Sequence, residues 1–109
     1  MSEISFAPMA RELEVVRGDT VPPITIPLVD EVGDSLNTSL YVVTAEVIGP
    51  DGTSTPATIQ ASGGDVVFSM TPAQSEQVAE GSRWCVQLAT PDQSDVRTVV
   101  LGPVNLILK

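Results

Sequence analysis

The chain has 109 residues, 14 of them acidic and 5 basic, for a net charge of −9, with 42% apolar and 17% charged residues and no histidine. This is the length of one domain, with ample apolar material for a core, and so negative a surface repels phosphate backbones and anionic bilayers, so no nucleic-acid or membrane partner is expected. Without histidine the commonest general base, proton shuttle and metal ligand is missing, and neither a Ser-His-Asp nor a Cys-His arrangement can be built within the chain; no enzymatic activity, catalytic residue, cofactor or metal is predicted.

Residues 1–10 are mildly apolar, contain Glu3 and no basic cluster, and lack the charged and apolar regions of a signal peptide. They are expected to form an N-terminal arm on a single domain over residues 11–109, made in a cytoplasm and not exported by the general secretory route. No stretch approaches the roughly 20 consecutive apolar residues of a membrane span. Cys85 is the single cysteine, so no internal disulfide can form.

The period-two alternation of β-strands recurs along the chain. Leu13 and Val15 share one face of a first strand, which Arg17-Gly18-Asp19-Thr20 ends. Ile24, Ile26 and Leu28 share a face of the next, and Pro27, which offers no ladder hydrogen bond, assigns that strand to a sheet edge or a bulge. A polar turn over Asp30 to Ser35 leads to the longest strand, Leu40 to Ile48, with Tyr41, Val43, Ala45 and Val47 towards the core. Gly49-Pro50-Asp51-Gly52 is strong turn chemistry, Pro50 presetting φ and Gly52 tolerating positive φ.

A short strand from Pro56 to Ala61, a turn at Ser62-Gly63-Gly64-Asp65 and a strand with Val66, Phe68 and Met70 on one face follow. Thr71-Pro72-Ala73-Gln74 has the form of a capping box with proline at the first helical position, predicting a two-turn crossover helix over residues 72–79 that Gly81 stops. Trp84, Val86 and Leu88 then face the core, and Pro91-Asp92-Gln93-Ser94 makes a hairpin loop. Two final strands, Val96 to Leu101 and Val104 to Leu108, are separated by Gly102-Pro103. About seven to nine short, evenly spaced strands with short connections predict an all-β, immunoglobulin-like antiparallel sandwich.

Four features invite a functional reading. Asp30, Glu31 and Asp34 gather carboxylates in one turn, but without the ligand spacing of a calcium-binding hand, so a solvated loop is the better reading. Arg17-Gly18-Asp19 spells a tripeptide known from integrin ligands; after a strand, where glycine permits a sharp bend, a structural turn explains it better. Cys85 falls on the face opposite Trp84, reads as an inert thiol, and is placed where a partner can cover it. Gly63-Gly64 lacks the spacing and the lysine of a phosphate loop.

The order of motifs resembles the small immunoglobulin-like proteins and domains encoded among the tail and virion genes of tailed bacteriophages, including baseplate and fibre-attachment proteins. Arg17-Gly18-Asp19-Thr20, the acidic turn from Asp30 to Asp34, the strand Tyr41 to Ile48, Thr71-Pro72-Ala73-Gln74, Gly81-Ser82-Arg83-Trp84 and Pro91-Asp92 before Val96 to Leu101 carry the likeness over residues 11–108. Leu36-Asn37-Thr38 departs from its pattern. The resemblance implies a structural virion component of the tail, baseplate, connector or head surface, made in the host cytoplasm. Its implied partners are other virion proteins and further copies of itself. Phe6, Met9, Val104, Leu106 and Leu108 are the expected contact residues, since an apolar arm and a terminal strand suit pairing between chains. The alternative is a carbohydrate- or host-surface-binding sandwich, which requires an exposed aromatic ring.

Overall fold

The computed structural model describes residues 9–28 and 37–108. Among these described residues, nine strands, one short helix and a 3-10 turn (Thr38–Leu40) build two facing sheets. The strands are β1 (Met9–Ala10), β2 (Leu13–Val16), β3 (Val21–Pro27), β4 (Val42–Ile48), β5 (Ser54–Pro56), β6 (Thr58–Ser62), β7 (Asp65–Met70), β8 (Arg83–Ala89) and β9 (Val96–Ile107); α1 (Pro72–Glu76) lies between β7 and β8. The large sheet runs β5-β4-β8-β9, with β1 and β2 both on the far side of β9; the small sheet is β3-β7-β6. The chain is thus an all-β, immunoglobulin-like sandwich.

Alternation fixes which face each strand buries. Val66, Phe68 and Met70 of β7, Trp84, Val86 and Leu88 of β8, Ala45 and Val47 of β4 and Ile26 of β3 fill the space between the sheets. Tyr41, Val43 and Ile24 pack against this core from its margins. Phe68 and Trp84 meet edge to face, ring centroids 4.9 Å apart, joining the two sheets at mid-core; such pairs add about 0.5–1.5 kcal/mol beyond the area they bury. The proline-marked strand β3 lies at a sheet edge, as predicted.

Four expectations need correction. First, the predicted strand from Pro56 to Ala61 is divided. β5 pairs with β4 in the large sheet and β6 with β7 in the small one. The corner falls at Ala57, whose N–H still reaches Ala45 O at 3.2 Å. Second, the helix closes at Gln77, before Gly81. The Thr71–Gln74 capping box forms as predicted, but Val78 turns into the core and the chain leaves helical geometry there. Gly81, at φ +84°, serves the turn into β8 instead.

Third, the two predicted last strands are one. β9 passes through Gly102 and Pro103 without a break because its neighbour changes there. On one side it pairs antiparallel with β8; on the other it takes β1 at Val100 and Leu101, then β2 from Val104 to Ile107. Arg11 crosses between those two partners, and its carbonyl oxygen lies 1.7 Å from where a Cβ on residue 102 would stand, so only glycine admits the crossing. Fourth, pairing is not wholly antiparallel. β1 and β2 run parallel to β9, which the rest of the domain separates from them in sequence. Met9 and Ala10, inside the segment expected to be an arm, already belong to the sheet.

A register shift opposite Val86 and Gln87 turns two successive residues, Val99 and Val100, inward, and both are fully buried. Replacing Gly102 with alanine forces a methyl group into the Arg11 backbone. Gly102→Ala is expected to cost about 2 kcal/mol or more, read as a lower urea midpoint with an unchanged m-value.

Candidate functional site

The Arg17-Gly18-Asp19 turn is a bracket for α1. Gly18 adopts φ +85°, and its N–H donates to Ser75 Oγ at 3.1 Å. The buried Ser75 hydroxyl in turn donates to Asp19 O at 2.7 Å, with Pro72 O also within reach at 3.1 Å. Arg17 Nη2 donates to Val78 O at 2.9 Å, holding one of the carbonyls left over at the helix end. The tripeptide is committed to its own fold, as the structural reading predicted.

No convergent chemistry appears among the described residues. No group of three or more Cys, Asp or Glu side chains is placed to hold a metal ion there. Asp30, Glu31 and Asp34 lie outside the described residues. A cleft of about 130 Å³ between the Gly49–Thr53 turn and Val78–Ser82 is lined by Asp51, Thr55 and Ser82. Two of its polar groups are engaged: Asp51 Oδ1 accepts from Thr53 N at 2.9 Å, and Ser82 Oγ donates to Ala79 O at 2.6 Å. The Thr53 N–H, and after it the Thr53 hydroxyl, hold the Asp51 carboxyl below its ordinary pKa. The cleft is well below the roughly 300–1,000 Å³ of ordinary small-molecule sites; hollows of about 400 Å³ beside Glu12, Asp19 and Pro22 and about 500 Å³ beside Arg17, Glu76 and Leu108 are larger but more open to solvent.

Cys85 points away from the core yet is buried among its sheet neighbours. Burial raises its thiol pKa, the Glu46 carboxylate raises it further, and Arg83 offsets part of this. The neighbours alone suffice to cover it. In the β8–β9 loop, Asp92 Oδ1 accepts from Ser94 N at 3.0 Å, Ser94 Oγ at 2.7 Å and Thr90 Oγ1 at 2.8 Å. The Ser94 N–H is the chief cause that lowers the Asp92 pKa to about 2.

The expected contact residues are dispersed. Phe6 lies outside the described residues, and Met9 is placed by its backbone pairing with Val100. Val104 is buried opposite Leu13, and Leu106, opposite Val15, packs partly against the core, so both belong mainly to the interior. Leu108 is 58% exposed beyond the end of β9.

The surface with distinct character is the outer face of the large sheet, which alternation alone did not single out. Residues directly opposite one another share a face, and four rows cross β4, β8 and β9. They are Val42-Ala89-Val96, Thr44-Gln87-Thr98, Glu46-Cys85-Leu101 and Ile48-Arg83-Pro103. Glu46 and Arg83 are the charged residues in these rows. Val42, Val96 and Leu101 stand 44%, 48% and 47% exposed.

No protein-family model matches the chain, and no curated protein matches it. Among solved structures it is similar to the Lin-41 filamin domain, with 24% identity and a TM-score of 0.48 over 84% of this chain and 82% of that one.

Two outcomes follow from these environments. Cys85 in the native protein is expected to resist alkylation at pH 8 and to react fully once urea unfolds the chain, which labelling followed by mass measurement checks. Asp92 has a folded-state pKa near 2 against an ordinary 3.8, so its stabilisation is present above the ordinary value and lost as pH falls through the lower one. The difference in melting temperature between the wild type and Asp92→Ala is expected to hold steady above about pH 5 and to narrow between about pH 4 and pH 2.

Proposed function

We propose that this chain is a non-catalytic assembly module, a structural component of a tailed-bacteriophage virion in its tail, baseplate, connector or head surface. It acts through contacts with other virion proteins and is made in the host cytoplasm. The observation that carries the assembly reading is the outer face of the large sheet. Across β4, β8 and β9 a chain of net charge −9 leaves only Glu46 and Arg83 among four rows of side chains, beside three half-exposed aliphatics, the next carboxylate, Glu14, standing on β2 at the rim. Depletion of charge in favour of apolar groups is what distinguishes the centre of a protein interface from ordinary surface. The motif order over residues 11–108 supports the virion assignment.

The non-catalytic reading draws support from the same geometry. Among the described residues, the hydroxyls of Ser75 and Ser82 serve backbone carbonyls, and the thiol is buried. The carbohydrate-binding alternative needs a ring to stack on a sugar. Trp84 and Phe68 are fully buried, and the Trp84 indole N–H is spent on Arg11 O at 2.8 Å. Tyr41 packs partly against the core.

Purified virions from lysates of a host carrying the gene are expected to yield peptides of this chain by mass spectrometry, at a copy number comparable to other structural proteins. Its absence from every purified particle fraction overturns the virion reading. A glycan array is expected to show no binding.

A further inference from the structure

The geometry points to a second copy of this chain as the occupant of the outer β4–β8–β9 face, joined through a twofold axis. This rests on the assembly reading above and gives it a partner. Two physical arguments bear on that copy: the first selects it and the second sets its strength.

The first is charge. Most faces of a −9 chain repel their own kind at close range. The rows crossing this face carry one carboxylate, Glu46, and one guanidinium, Arg83. They occupy diagonal positions on adjacent strands, either side of Cys85, whose raised thiol pKa registers both charges. A twofold interface is isologous: whatever residue i meets, the partner meets with its own residue i. One such pair therefore becomes two reciprocal ion pairs, Glu46 of each copy meeting Arg83 of the other. Glu46 already accepts a hydrogen bond from Ser54 Oγ, which orients the carboxylate and leaves lone pairs free.

The second is area. β4 and β8, seven residues each, and the part of β9 paired with β8, at about 3.4 Å per residue and about 4.8 Å spacing, present roughly 350 Å². Two such faces bury about 700 Å², below the usual 1,200–2,000 Å² of stable pairs and in the range of weak, transient ones. Leu101 shares its row with Glu46 and stands 47% exposed, which makes it the central apolar anchor. A face of this size with few anchors predicts a weak dimer, held at about 0.1–1 mM.

Sedimentation equilibrium of the full chain across concentrations up to about 1 mM tests this. The expected result is a reversible shift from 11.4 kDa to twice that mass. Leu101→Glu, at a half-exposed site, is expected to leave the melting temperature nearly unchanged and to weaken the dimer at least tenfold. Glu46→Arg and Arg83→Glu each set like charges together and are expected to abolish it. The double reversal, Glu46→Arg with Arg83→Glu, is expected to restore it, which a merely structural role for either residue does not produce. A chain that stays monomeric throughout overturns the inference. So does a dimer indifferent to Leu101→Glu and to the single reversals. Either result leaves the virion reading to be decided separately by particle composition.

Discussion

The fold depends on a backbone-to-backbone contact at Gly102. Arg11 passes so close to it that no side-chain atom fits between them. The same residue receives the Trp84 indole N–H on its carbonyl and gives its own N–H to Leu101 O at 3.2 Å. Trp84 in turn stands edge-on to Phe68 in the other sheet. One crossing point thus ties together the N-terminal strands, the last strand and the core contact between the sheets. A buried indole N–H left without an acceptor costs about 1–3 kcal/mol, so the N-terminal strands also complete a core residue.

The polar groups that catch the eye in the sequence serve architecture. Arg17 and Gly18 are engaged with the end of α1 and with Ser75, and Asp92 closes its own hairpin loop. Each satisfies backbone groups that a short helix or a tight loop otherwise leaves unpaired. A small sandwich has little interior to spare for a cleft, which leaves its faces and edges as the surfaces a partner can reach.

Edges and faces differ in what they admit. Strand addition at a free edge needs unpaired N–H groups, and β3 carries Pro22, Pro23 and Pro27, which offer none. β5, at one edge of the large sheet, is three residues long and ends in Pro56. The outer face of the large sheet has no such guard. The low charge of its β4–β8–β9 part in so acidic a chain is a property of the pairing register, which sets Glu46 and Arg83 diagonally across strands far apart in sequence.

Local patterning by itself determined the strands, their buried faces, the capped helix and the hairpin loops. Alternation sends Trp84, Val86 and Leu88 inward whatever they pair with, and a Thr-Pro-x-Gln run caps a helix within four residues. Absent histidine likewise excluded the commonest catalytic arrangements before any fold was known. What only the tertiary structure decided were matters of partner choice. These are the parallel pairing of β1 and β2 with β9, the unbroken run through Gly102-Pro103 and the division of residues 54–62 between two sheets. The same holds for the outer face: alternation says that Val42, Glu46 and Leu101 are not in the core, but only cross-strand register makes them neighbours. Periodicity is written over adjacent residues, whereas register depends on chain segments tens of residues apart meeting in space.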